Sequence, residues 1–262
     1  MKFGTLNLLL VMFIAGCGGG GSSHTSAPTS TDFAYSTNHP CISNEDTMLD
    51  IQFMVPKDNV HGCEIASNIV LDGLNSLKIT VNPTDCYSLD CSADRSRYEI
   101  HDNPYNSTNG RTVRYKTNLY IPAQHGFRPN GINALFLTQI NLKNNHGLYH
   151  TLAYLEVDTT NRLVLRTHRG FTWTILNQHL LATNIFDRWI SVDYEIKSST
   201  TDGYVKVWVD NTLLVQENIP TLQTIDDYVS LKVGIYNAFK SQATSSYNTQ
   251  TVYFDGIRRE YQ

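Results

Sequence analysis

Apolar and polar residues alternate with a period of two along most of this chain. From about Asp32 onward, "NSLKITVN", "TVRYKTNLYIP", "HTLAYLEVD", "WISVDYEIK" and "YVKVWVD" place Val, Ile, Tyr and Thr as half-buried strands require. "SRYEIHD", "NALFLTQINLK", "RLVLRTHR", "TLLVQENI", "LKVGIYNAF" and "TVYFDGIRRE" read the same way. No amphipathic helix and no internal repeat interrupts them. Asp210-Asn211 predicts a two-residue hairpin turn between "YVKVWV" and "TLLVQE", and "VDTTNRLVL" predicts another hairpin. Strands at this spacing predict a two-sheet antiparallel sandwich. Whole faces of bulky polar residues favour one curved, concave sheet over a closed barrel. The fold expected is an all-β jelly roll of the concanavalin-A-like kind with a polar groove.

Three strands carry those polar faces. In "DRSRYEIHD", Arg95, Arg97, Glu99 and His101 lie on one side, and Tyr98 and Ile100 on the other. In "ALFLTQINLK", Gln139, Asn141 and Lys143 share a face while Phe136, Ile140 and Leu142 turn inward. In "SLKVGIYNAF", Lys232, Gly234 and Tyr236 oppose Leu231, Val233 and Ile235. A solvated sheet face explains any one of these strands. Together they gather guanidiniums, ammoniums, amides, an imidazole and a phenol around one carboxylate, a surface suited to an anionic ligand.

The start of the chain adds a destination. Lys2 and the apolar stretch Leu6 to Ile14, closing on "IAGC", match a bacterial lipoprotein signal peptide over residues 1–16. Cys17 then becomes the lipidated first residue. Residues 17–31 form a flexible Gly/Ser/Thr linker, and residues 32–262 the folded domain. An exported protein of the outer membrane, cell surface or periplasm is expected, held to a membrane by lipid alone. Losing Lys2 leaves 19 Lys+Arg against 24 Asp+Glu, a net charge of −5 in place of −4. That balance excludes nucleic acid as a partner. Cys41, Cys63, Cys86 and Cys91 form an even set in an exported protein, which reads as two disulfides. Of three connectivities, the tight Cys86–Cys91 loop favours that pair with Cys41–Cys63.

The order of motifs "RYEI" (97–100), "QIN" (139–141) and "KVGIY" (232–236) resembles that of the β-jelly-roll polysaccharide lyases. The resemblance is to the heparin-lyase-I-like, glucuronan and ulvan lyase group, and more distantly to the alginate lyases. It spans roughly residues 75–262, and "TVYFDGIRRE" looks like the group's last strand. It implies β-elimination on a uronic-acid-containing polysaccharide of the ulvan, glucuronan, alginate or glycosaminoglycan type. By resemblance Tyr236 is the catalytic acid, or acid and base together, and nearby Arg and Lys are expected to lower its pKa. Gln139, Asn141, Arg97 and Lys143 would neutralise the uronate carboxylate. Arg95, Glu99, His101, Lys232 and Asn237 would bind substrate, and Gly234 would leave room for a sugar.

The sequence departs from the pattern at Asn141, where the alginate lyases carry a basic His. Either Tyr236 makes both proton transfers, or Lys143, His101, His125, His146 or His150 is the base. No cofactor is expected. "HGLYH" (146–150) lacks a third zinc ligand at a telling distance, and a structural Ca²⁺ touching Asp255 is the one metal the resemblance suggests. A monomer is expected. Two other readings compete: a binding-only lectin-like lipoprotein using Trp173, Trp189 and Trp208, and a retaining glycoside hydrolase. The nearest hydrolase motif, Glu156-Val-Asp158-Thr-Thr-Asn161, lacks its last carboxylate, leaving Asp193 and Glu195 beside Trp189 as the other candidate pair.

Overall fold

The computed structural model describes residues 51–54, 62–82, 89–102, 107–123, 135–143, 149–168, 174–238 and 249–262. The signal peptide and linker (1–31) lie outside the described residues, as do Cys17, Cys41, Cys86, His125, His146, Trp173 and the Cys91 side chain. Strands β1 (Ile51–Met54), β2 (Cys63–Ala66) and β3 (Ser76–Val81) precede a single helical turn, α1 (Leu89–Ser92). β4 (Ser96–Asp102), β5 (Thr112–Tyr120), β6 (Leu135–Lys143), β7 (Tyr149–Val157) and β8 (Leu163–His168) follow. β9 (Ile175–Ala182), β10 (Trp189–Lys197), β11 (Tyr204–Val209), β12 (Thr212–Asn218), β13 (Tyr228–Asn237) and β14 (Gln250–Tyr261) complete the order.

These strands form two sheets with antiparallel ladders. The first runs β1-β4-β13-β6-β7-β8-β9, the second β12-β11-β10-β5-β14-β3-β2. This is the jelly-roll sandwich that the alternation predicts. Tyr98, Ile100, Ile140, Leu142, Leu231, Val233 and Ile235 project inward from the first sheet. They meet Val113, Tyr115, Leu119, Val192, Tyr194 and Phe254 of the second in one core cluster. Full burial of each such aliphatic side chain contributes about 1.5–3 kcal/mol.

Polar bonds also cross the core. The Tyr115 hydroxyl donates to Asp102 at 2.8 Å, and Arg259 Nη1 donates to the other Asp102 oxygen at 2.6 Å. Asp102 ends β4, so this pair anchors one end of the strand that carries Arg97, Glu99 and His101. The hairpins appear where expected. Asp210 and Asn211 both have positive φ, and Val209 faces Thr212. Val157 faces Leu163 around a turn in which Asp158 accepts from the Thr160 and Arg162 amides. Cys63 is disulfide-bonded.

Phe136 and Gly234 differ from the sequence expectation, both at bulges. β6 shifts register between Phe136 and Thr138, so Phe136 faces outward and Leu137 is buried. Its ring lies 5.3 Å from that of Tyr236 and 4.3 Å from that of Tyr154. Gly234 has φ +152°, and a Cβ there would sit 2.2 Å from the Tyr98 carbonyl oxygen and 2.7 Å from the Glu99 Cα. The missing side chain makes room for the neighbouring backbone of β4, not for a sugar.

Candidate active site

β13 lies between β4 and β6, and the register fixes which side chains share its outer face. Tyr236 stands opposite Arg97 on β4 and Phe136 on β6. Lys232 stands opposite His101 and Gln139, Ser230 opposite Asn141, and Tyr228 opposite Lys143. Directly opposed residues project to one side of a sheet, so the polar faces of the three strands do come together. The face is recessed: Glu99, His101, Gln139, Asn141 and Lys232 are each at most 6% exposed.

The polar residues divide into two neighbouring groups. Around Tyr236, the Arg97 and Arg95 guanidiniums lie 5.2 and 5.9 Å from the ring centroid. Arg97 donates through Nε and Nη2 to Asp90 of α1, and its Nη1 lies 3.6 Å from Glu99. Gln139 Nε2 donates to the other Glu99 oxygen at 2.6 Å. Arg97 therefore brings positive charge to the site, while much of its hydrogen-bonding fork serves Asp90.

The second group lies further along β13. His101 Nε2 and Ser230 Oγ share a hydrogen bond of 3.0 Å, and both residues are buried. Thr151 Oγ1 donates to Asn141 Oδ1 at 3.0 Å, while the buried Asn141 Nδ2 has no hydrogen-bond partner among the described residues. Lys143 follows Asn141 on the same face, above the Tyr228 ring. Lys232 joins the groups electrostatically. It feels Glu99, Arg97 and Asp90 on one side, and acts on His101 and Lys143 on the other.

Titration follows from this burial. Burial raises the Tyr236 phenol above its usual value; Arg95 and Arg97 pull it back without reversing the shift. The lowered pKa expected from the sequence is thus corrected, because desolvation outweighs the cations. Burial, then the Lys232 and Lys143 charges, holds His101 well below the usual imidazole value, so it is neutral. Burial and Lys232 bring Lys143 down to about 8.

Other expected residues lie elsewhere. Asn237 turns away from the face: it is fully buried and donates to Ser96 Oγ and to Gln250 Oε1 on the opposite sheet. Asp255 Oδ2 accepts from the Leu71 and Asp72 amides. Among the described residues, no three His, Cys, Asp or Glu side chains gather as a metal site. Glu156 pairs with Arg166 rather than with another acid. Asp193 contacts Arg114, and Glu195 contacts Lys206. Asp90, Ser230 and Thr151 escaped the sequence reading. Asp90 sits in a one-turn helix with no pattern of its own, and Thr151 is displaced by a bulge.

A sequence profile of the polysaccharide lyase family matches residues 42–258. The chain belongs to that family. An endo-β-1,4-glucuronan lyase from the fungus Trichoderma reesei superposes with a TM-score of 0.58. The alignment covers 75% of this chain and 85% of that one, at 19% identity. AlgAT5, an alginate lyase of polysaccharide lyase family 7, gives 0.56 over 81% and 94% of the two chains, at 11% identity. A family 7 alginate lyase in complex with substrate, A1-II′, gives 0.55 over 76% and 81%, at 12% identity. These likenesses establish a shared fold. No curated protein sequence matches the lyase significantly. The polysaccharide lyase is thus an enzyme built on a jelly roll, and the binding-module and glycoside-hydrolase readings give way to it.

Proposed function

We propose that the lyase cleaves a uronic-acid-containing, anionic polysaccharide by β-elimination. The observation that carries this reading is the tyrosine on β13, beside two guanidiniums in a recessed face. A base removes the C5 proton, the electron pair forms the C4=C5 double bond, and the C4–O4 bond breaks as O4 takes a proton. The C5 proton is acidic enough only when the adjacent carboxylate is neutralised, a task this reading gives to Arg95, Arg97 and Gln139.

Tyr236 carries both proton transfers in this reading. After burial, the strongest influences on its titration are Arg95, Arg97, Glu99 and Asp90. Lys143 sits eight positions along β13, in the row of Tyr228. Lys143 thus lies further along the face than Arg97, whose row Tyr236 shares. The test is to incubate residues 32–262 with glucuronan, ulvan, alginate and heparin and follow the ultraviolet absorbance of unsaturated uronate. No rise on any of them rejects β-elimination.

We also propose that the enzyme is exported and tethered through lipidated Cys17, which the "IAGC" motif and the Gly/Ser/Thr linker support. Metabolic labelling with palmitate should mark the wild type and not Cys17→Ser.

A further inference from the structure

We infer that the outer face between Tyr236 and the β9 edge binds a neutral sugar, so that the preferred polymer alternates uronates with uncharged sugars. This deepens the β-elimination reading above and rests on it. Cross-strand register supplies the position. Tyr236 stands opposite Phe136, Phe136 opposite Glu156, Glu156 opposite Val164, and Val164 opposite Leu180. That is one continuous row over β13, β6, β7, β8 and β9. Beside it runs a second row over β6 to β9, Gln139 to Tyr154 to Arg166 to Gln178. Directly opposed residues share a side of the sheet, so both rows lie on the face that carries Tyr236. Val164 and Tyr154 are buried yet stand apart from the core cluster between the sheets, in agreement with that direction. A polysaccharide lying across the strands meets a new one every ~4.8 Å, close to the length of one sugar.

The chemistry on this side of Tyr236 differs from that on the β4 side. Toward β4 the phenol ring has the Arg97 and Arg95 guanidiniums beside it. Toward β6 it meets Phe136 at 5.3 Å, and Phe136 in turn packs edge-on against Tyr154 at 4.3 Å. Val164 and the half-exposed Leu180 continue the row. Rings and aliphatic side chains suit the C–H face of a sugar. Arg166 is the single cation of the two rows, and Glu156 holds it. Its Nε lies 2.6 Å from Glu156 Oε2, and its Nη2 donates to Oε1 at 3.2 Å. A uronate carboxylate placed here would lose water without gaining a partner, and would approach the Glu156 charge. A neutral sugar meets neither penalty. Phe136, turned outward by the β6 bulge, is therefore a specificity-determining residue.

Rates of unsaturated-uronate formation on four polymers test the assignment. Glucuronan and alginate carry a carboxylate on every sugar, whereas desulfated ulvan and unsulfated chondroitin alternate uronates with neutral sugars. Wild-type kcat/KM should be at least about tenfold higher on one of the alternating polymers than on either homopolyuronate. That comparison needs no variant. Phe136→Ala should lower kcat/KM on the alternating polymer by about tenfold, the size of one aromatic contact, and far less on glucuronan. Phe136→Tyr should restore it. Glu156→Gln releases Arg166 to meet a carboxylate and should speed cleavage of glucuronan. Equal or faster cleavage of a homopolyuronate by the wild type overturns the proposal. So does a Phe136→Ala that loses activity equally on both polymer types, since Phe136 would then only support Tyr236. Unsaturated product from none of the four polymers rejects β-elimination itself, an outcome distinct from these.

Discussion

Asp90 holds Arg97 by two arms of its fork, with Nε donating at 2.6 Å and Nη2 at 3.0 Å. The same guanidinium lies against Tyr236, so the one-turn helix α1 sets where positive charge sits beside the phenol. Asp90 is almost wholly buried, whereas Arg97 keeps 18% side-chain exposure. Asp90→Ala should therefore cost about 2–3 kcal/mol, somewhat less than breaking a fully buried pair. A shift of the urea midpoint without a change in slope would show it, and kcat should fall as Arg97 swings away from Tyr236.

Tyr236→Phe removes one oxygen and keeps the ring packing against Phe136. Turnover should fall by about 10²–10⁴-fold, the usual contribution of positioned acid–base catalysis. Oligosaccharide affinity measured by calorimetry should change little. Retained turnover would move proton transfer to another group.

The pH dependence of kcat follows from the raised Tyr236 pKa. Taking the C5 proton needs the phenolate, whose fraction grows as pH rises toward that elevated value. So kcat should climb on the alkaline side of neutrality. Arg95 stabilises the phenolate; Arg95→Ala should push this limb to still higher pH. A limb that moved down would contradict the electrostatic assignment.

Lys143 gives an opposite trend in binding. Its pKa of about 8 means the ammonium is lost as pH rises through that value. Above it, the polar face loses a cation, and KM for anionic oligouronates should rise while kcat is still climbing. Lys143→Arg, charged throughout, should flatten the KM profile.

Gly234→Ala tests the bulge on β13. The new Cβ would meet backbone atoms at 2.2 and 2.7 Å, in a conformation that L-residues rarely adopt. A loss of about 3 kcal/mol or more is expected from combined strain and overpacking. Denaturant unfolding would register it.

The sheet architecture was legible because period-two alternation survives in nearly every strand. Tyr98 and Ile100 point inward and Glu99 and His101 outward, as their spacing demands. Local irregularities were not legible. Regular alternation puts Thr151 on the same side as Ala153 and Leu155, and only the extra residue Leu152 turns it toward Asn141. Phe136 was misplaced for the same reason, and Asn237 follows the inward set after Ile235. Nor does spacing reveal desolvation. Arg95 and Arg97 near Tyr236 suggest a lowered pKa until burial is known.

β6 is interrupted on both edges, against β13 between Val233 and Tyr236 and against β7 on either side of Gln139. A strand keyed to both neighbours cannot slide by two residues, the step that would otherwise preserve its faces. Insertions or deletions in the segments that join the strands are then absorbed where they occur. Polymer preference can drift through those segments while the chemistry of the sheet stays in alignment, so the two can evolve on separate clocks.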